Sequence, residues 1–152
     1  MIVDLIRNDM GAIAEIGSVT TPRLLAVEKH PGLYHLVSDV QAKIAENLHF
    51  DEVLKSMMPP GSVSGAPKSS ALKIIGRQES ERDIYCGALG WYHNGEAEVA
   101  VAIRTFWQRE DGVLRFGTGA GITWGSDSIL EWEETELKAG RLLSIAGGQV
   151  KV

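Results

Sequence analysis

Ser128-Ile129-Leu130-Glu131-Trp132-Glu133-Glu134-Thr135-Glu136-Leu137-Lys138 is the stretch around which the rest of the chain is arranged. It opens a predicted helix. Ser128 and Glu131 have the S-x-x-E spacing of a capping box. Glu131, Glu134 and Lys138 fall at i, i+3 and i+7, so at about 100° per residue they share one face. Two carboxylates one turn apart can share a hard divalent cation such as Mg²⁺, directly or through its waters. The lysine one turn on could hold an anion that the cation also grips. A plainer reading stands beside this one. Glu131 then only caps the helix, and Glu134 with Lys138 is an i,i+4 pair that slightly stabilises any exposed helix. Taken alone, the stretch favours the plainer reading.

The totals bound the class. A chain of 152 residues is long enough for one domain with a core, here residues 1–148 followed by a tail at 149–152. The composition, 44% hydrophobic and 23% charged, is that of an ordinary globular protein. The net charge of −5 and the lack of a basic cluster argue against nucleic-acid or anionic-membrane partners. Cys86 is the single cysteine, which excludes an internal disulfide and Cys-rich zinc sites and points to a reducing cytoplasm. No run reaches transmembrane length, and the N-terminus has no signal-peptide pattern.

Met1 to Met10 has the look of a helix end, with Arg7 near the C-terminus, Gly11 as the stop and no capping residue ahead of the apolar run. The expectation is a chain that starts mid-helix, as a fragment would. Ala12 to Val27 is expected to form one or two strands around Gly17, broken by Pro22. His35 to Ile44 alternates as a half-buried strand does, with His35 at its start. Asp51 should cap a short helix to Met58. The run Pro59 to Lys68 reads as a loop, with Pro67 opening a helix that Gly76 stops. Its glycines and Lys68 do not have P-loop spacing.

Tyr85 to Tyr92, Glu98 to Trp107 and Val113 to Thr118 are predicted as a three-stranded antiparallel meander joined by Asn94-Gly95 and Asp111-Gly112. If both turns have two residues, Tyr85 lies opposite Arg104 and Arg104 opposite Gly119. Val99, Val101 and Ile103 then face the core, and Arg104 shares the other face with Ala100 and Ala102. A phenol, a guanidinium and bare glycine backbone around a gap suit a carboxylate. An exposed sheet face with an ordinary arginine is an even alternative. Gly117 to Gly121 reads as backbone brought close to a ligand. The helix from Ser128 should run to about Ala146, burying Leu130, Leu137, Leu142 and Ile145, with Gly147-Gly148 as its end.

Ile2-Val3-Asp4-Leu5-Ile6-Arg7-Asn8-Asp9, His35-Leu36-Val37-Ser38, Gly61-Ser62-Val63-Ser64-Gly65-Ala66-Pro67-Lys68, Ala102-Ile103-Arg104, Gly119-Ala120-Gly121 and Glu131-x-x-Glu134-Thr135-x-x-Lys138 occur in this order. With them the chain resembles the C-terminal part of the chorismate-utilising enzymes, a family that includes anthranilate synthase component I, aminodeoxychorismate synthase component I, and the isochorismate and salicylate synthases. The resemblance implies an α+β fold, antiparallel sheets with packed helices in a four-layer α/β/β/α core, and a site that binds chorismate with Mg²⁺. It implies that Glu134 is a direct magnesium ligand and that Glu131 acts on the ion through water. Lys138 would serve the same site, both catalytically and in holding substrate. Tyr85 and Arg104 would hold substrate carboxylates, Gly119 and Gly121 would approach one with their backbone, and Ser62 would place a hydroxyl in the pocket. His35 would assist departure of the ring hydroxyl.

Within the family, Ser38 and the Pro59 to Lys68 loop look most like aminodeoxychorismate synthase component I, of folate and para-aminobenzoate biosynthesis. That implies ammonia as nucleophile, supplied by a glutamine amidotransferase partner. Anthranilate, isochorismate or salicylate synthesis is the alternative. In the family a second carboxylate ligand for magnesium, a catalytic lysine and the N-terminal half of the sheets lie upstream of the residue matching Met1. The chain is therefore expected to carry about half a site, to be inactive alone and to cover its open sheet edges as a homodimer. The alternative of another class is a non-catalytic module that binds a small anion or a partner protein indifferently to Mg²⁺. A third reading is a folding fragment with no ligand.

Overall fold

The computed structural model describes residues 1–30 and 33–147, so the 149–152 tail and Gly148 lie outside the described residues. The chain divides into two compact units, Met1–Ile74 and Ile75–Val152. Both combine helices with antiparallel strand pairs, as the α+β expectation requires.

The first unit opens with α1 (Ile2–Gly11). Gly11 is the last helical residue and Ala12 the cap, so the helix ends without the left-handed glycine expected there. Strands β1 (Thr20–His30) and β2 (Leu33–Gln41) form a long antiparallel ribbon. Pro22 does not break it. Between Thr20 and Ala26 β1 carries two register shifts, and Pro22 sits in the first, where no ladder N–H is needed. Leu25 lies in the second with φ +50°, and its N–H donates to Ser38 Oγ at 2.9 Å. The ribbon's base continues through an Ala14–Ile44 bridge beside buried Ile13. Leu24, Val27, Tyr34 and Leu36 are exposed, so β2 is less buried than its alternation suggests.

Helix α2 (Phe50–Met57) is capped at His49, whose N–H donates to Glu52 Oε2 at 2.9 Å. Asp51 is inside the first turn and pairs with Lys55 at 3.1 Å, so it is not the cap. The expected loop after Pro60 contains one turn of helix, α3 (Gly61–Ser64). Helix α4 (Lys68–Gln78) follows, and the division between the units falls within it. Gly76 is inside α4 and does not stop it.

In the second unit β3 (Ala88–His93) pairs with β4 (Glu96–Val101) across Asn94-Gly95. Both turn residues have positive φ, at 50° and 84°, and the register is the expected one. The meander does not continue. β4 ends at Val101, and the chain kinks through Ile103 and Arg104, where Arg104 has φ +52°. Strands β5 (Phe106–Gln108) and β6 (Leu114–Phe116) form a separate pair. Their Gln108–Leu114 closure leaves a five-residue loop in place of the expected two-residue turn. Gly112 N–H donates to Arg109 O at 3.1 Å, and the Asp111 carboxylate accepts from Val113 N–H and Arg115. These bonds hold the longer loop and shift the register by one residue.

Helix α5 (Ser128–Ile145) closes the unit. Its cap is Asp127, whose Oδ1 accepts from Ile129 N–H at 3.0 Å and Leu130 N–H at 3.1 Å. Ser128 is the first helical residue, so the expected Ser128–Glu131 capping box is not the one used. Buried apolar residues among those described are few: Ile13, Cys86, Ala102 and Ala139. Val99 and Ile103, expected in the core, are exposed, whereas Ala102 is buried.

Candidate active site

Helix α5 shelters polar and apolar side chains together. Its sheltered stripe is Glu131, Thr135, Lys138, Ala139 and Leu142, at i, i+4, i+7, i+8 and i+11. Leu130, Leu137 and Ile145, expected to be buried, are 64%, 80% and 73% exposed. The helix therefore shelters a carboxylate, a hydroxyl and an ammonium together with Ala139, Leu142 and Leu143, and leaves Leu130 and Leu137 in solvent. A helix stabilised only by apolar burial would shelter those two leucines as well. Since Asp127 supplies the cap, Glu131 is not needed for it either. Glu134 is half-exposed at the edge of the stripe and forms an ion pair with Lys138.

The Gly117–Gly121 segment lies against this helix. Thr118 Oγ1 donates to Thr135 O at 3.4 Å, and Thr135 Oγ1 donates to Glu131 O at 2.9 Å. Tyr85 packs on the same glycines. A Cβ placed on Gly117 would lie 2.4 Å from Tyr85 Cγ, and one on Gly119 would lie 3.0 Å from the Tyr85 hydroxyl. The Arg82 guanidinium sits over the Tyr85 ring, 5.8 Å from its centroid, and is itself held by Glu79. Burial, together with neighbouring Cys86, pushes the Tyr85 phenol up to about 12. The hydroxyl thus stays protonated at neutral pH and can donate to an anion.

The expected row of Tyr85, Arg104 and Gly119 across three strands is not formed. The β3–β4 register alone would pair Tyr85 with Arg104, but the ladder slips at Cys86, whose N–H donates to Ala102 O while Ala102 N–H donates to Gly87 O. The β5–β6 register would place Arg104 level with Thr118 and not Gly119. Tyr85 nevertheless meets Gly119, by ring packing instead of strand pairing. Arg104 is exposed in its left-handed kink, and Gly121 has open space where a side chain would be.

The other two expected site residues belong to the first unit. His35 is exposed on β2, paired in register with Glu28. Ser62 is exposed on α3, where Gly61 and Ser64 are buried and Val63 is partly so. Beneath α3 lies a feature that residue patterns do not reveal. Buried Asp9 of α1 accepts from Gly61 N–H at 3.1 Å and pairs with Lys68 Nζ at 2.7 Å. Both residues stand in the quoted motifs, but only the folded chain puts them together.

Glu131 and Glu134 offer carboxylate oxygens, the donor type that Mg²⁺ prefers, and Mg²⁺ is often held by one or two carboxylates with waters filling the remaining positions. The pair fits such an open site. Among the described residues no cluster of three or more acidic, His or Cys side chains forms a closed metal cage.

The chain belongs to the chorismate binding enzyme family, which it matches over residues 1–144. It is 40% identical over 147 residues to aminodeoxychorismate synthase component 1 of Klebsiella aerogenes, covering 94% of this chain and 32% of that protein. It is 41% identical over 145 residues to anthranilate synthase component 1 of Aquifex aeolicus, covering 94% and 29%. The crystal structure of anthranilate synthase component I from Streptococcus pneumoniae TIGR4 superposes with a TM-score of 0.78 at 35% identity, covering 93% of this chain and 33% of that one. The chain thus spans about a third of the length of the relatives it matches. The described residues contain no helix long and apolar enough to cross a membrane.

Proposed function

We propose that this chain is the chorismate-binding catalytic portion of an aminodeoxychorismate synthase component I, converting chorismate and ammonia to 4-amino-4-deoxychorismate in the cytoplasm. The observation that carries the reading is the sheltered face of α5, where Glu131, Thr135 and Lys138 stand beside Ala139 and Leu142 while Leu130, Leu137 and Ile145 are exposed. Family membership supplies the substrate class. Within the second unit, the protonated Tyr85 hydroxyl beside Gly119 donates to one carboxylate of the substrate. Lys138, released from Glu134, holds negative charge at the same helix face. Glu131 and Glu134 would hold Mg²⁺, which when bound withdraws charge from a carboxylate and eases loss of the ring hydroxyl. Arg104 grips the second carboxylate, and in the first unit Ser62 is the substrate-binding hydroxyl and His35 the proton donor that the resemblance implies. A further segment of the enzyme completes the site and covers the exposed leucines of α5, and a glutamine amidotransferase supplies ammonia.

The test is a product assay on the full-length protein containing this chain, with chorismate, ammonia and Mg²⁺. 4-Amino-4-deoxychorismate is expected. Anthranilate, isochorismate or salicylate would assign it to another branch of the family, and no conversion with retained anion binding indifferent to Mg²⁺ would favour a non-catalytic module.

A further inference from the structure

Ser62 is exposed on a helix of a single turn, too short to hold itself in place by its own hydrogen bonds. What fixes it is a buried polar knot beneath. Asp9, whose side chain is only 9% exposed, spends one carboxylate oxygen on Gly61 N–H and the other on Lys68 Nζ. Lys68, 24% exposed, also donates to Ser56 O at 2.9 Å. Ser56 Oγ closes the ring by donating to Asp9 O at 2.8 Å. The end of α1, the end of α2, the start of α3 and the start of α4 are thus tied through one ion pair. Gly61 is pressed against α1 as well, since a Cβ there would lie 3.2 Å from Leu5 Cβ.

We propose that Asp9 and Lys68 are positioning residues for substrate binding, acting through the Gly61–Ser64 turn to hold the Ser62 hydroxyl in place. The inference rests on the chorismate reading given above. A buried ion pair adds little net stability over an apolar pair of the same size, but it fixes geometry, because each charge has one arrangement that satisfies it. Here the arrangement includes the first amide of the turn that carries Ser62. Neither charged group needs to touch the substrate.

The experiment is a double-mutant cycle on the full-length protein, read by calorimetric titration with chorismate in the presence of Mg²⁺. Asp9→Asn keeps the shape but removes the charge. It is expected to weaken chorismate binding about tenfold in the parent and less than about twofold in a Ser62→Ala background, since groups acting through one another are not additive. Mg²⁺ affinity, which belongs to Glu131 and Glu134, stays unchanged. Lys68→Met should repeat the pattern, and its stem keeps the packing should Asp9→Asn fail to fold. Equal losses with and without Ser62, or a parallel loss of Mg²⁺ affinity, would show a structural role only and overturn the inference. Parent protein that does not bind chorismate would overturn the functional reading itself, and the positioning role with it.

Discussion

The Tyr85 hydroxyl rests on Gly119, so close that a methyl group there would stand 3.0 Å from the phenol oxygen, while the ring covers Gly117. The two glycines should therefore respond differently to a methyl group. At Gly117 the Cβ meets the ring at 2.4 Å, and the ring is held under Arg82. Gly117→Ala is expected to destabilise the protein by about 1–3 kcal/mol, in the range of overpacked sites. Gly119→Ala meets only the tip of the side chain and should cost less than ~1 kcal/mol, yet weaken chorismate binding. Urea denaturation with a binding titration separates the two. Equal stability losses would mean that the phenol is not where the packing puts it.

Tyr85 should also titrate late. Its folded-state value is raised from 10 to about 12 by burial and by Cys86. The neutral phenol is the form the fold prefers, so its contribution to stability is complete below about pH 10 and is lost as pH rises through about 12. The tyrosinate absorbance missing from Tyr85→Phe should appear near pH 12 in the parent protein. A difference titrating at the ordinary value would contradict the burial.

The cap of α5 offers a sharper comparison. Asp127→Ala removes an acceptor from two amide groups and should cost about 1 kcal/mol. Ser128→Ala, one residue on, should cost nearly nothing. Thermal denaturation of the two variants settles which residue caps. The reverse ranking would restore Glu131 to a capping role and weaken its assignment to the site.

Much of this was legible in the sequence, and the failures share a cause. Asn94-Gly95 fixed its hairpin because both residues accept positive φ and leave no alternative. Asp111-Gly112 carries the same signal, but the Asp111 carboxylate binds Val113 N–H and Arg115, and these side-chain bonds favour a longer loop that a dipeptide rule cannot register. One residue of slip was enough to dissolve the expected row through Arg104. Pro22 looked like a breaker because the bulge that tolerates it is a property of the paired strand. For α5 the expected burial holds at Leu142 and fails at Leu130, Leu137 and Ile145, because only the folded chain shows Glu131, Thr135 and Lys138 sharing the sheltered stripe. Asp9 and Lys68 each stand in a motif, but they are far apart in sequence and nothing local pairs one with the other.

Glu134 and Lys138 give the means to separate stability from function. As an i,i+4 pair whose side chains are 32% and 50% exposed, they should contribute less than ~0.5 kcal/mol to folding. Glu134→Gln should therefore leave the denaturation midpoint almost unmoved while abolishing Mg²⁺-dependent binding. A large loss of stability would mark the pair as structural.

The most direct measurement is calorimetric titration of the full-length protein with chorismate, with and without Mg²⁺, for the parent and for Glu134→Gln. If the sheltered face of α5 is the substrate site, chorismate binds the parent only when Mg²⁺ is present, and Glu134→Gln does not bind under either condition. Tight binding that ignores both Mg²⁺ and the loss of Glu134 would contradict the account at its centre.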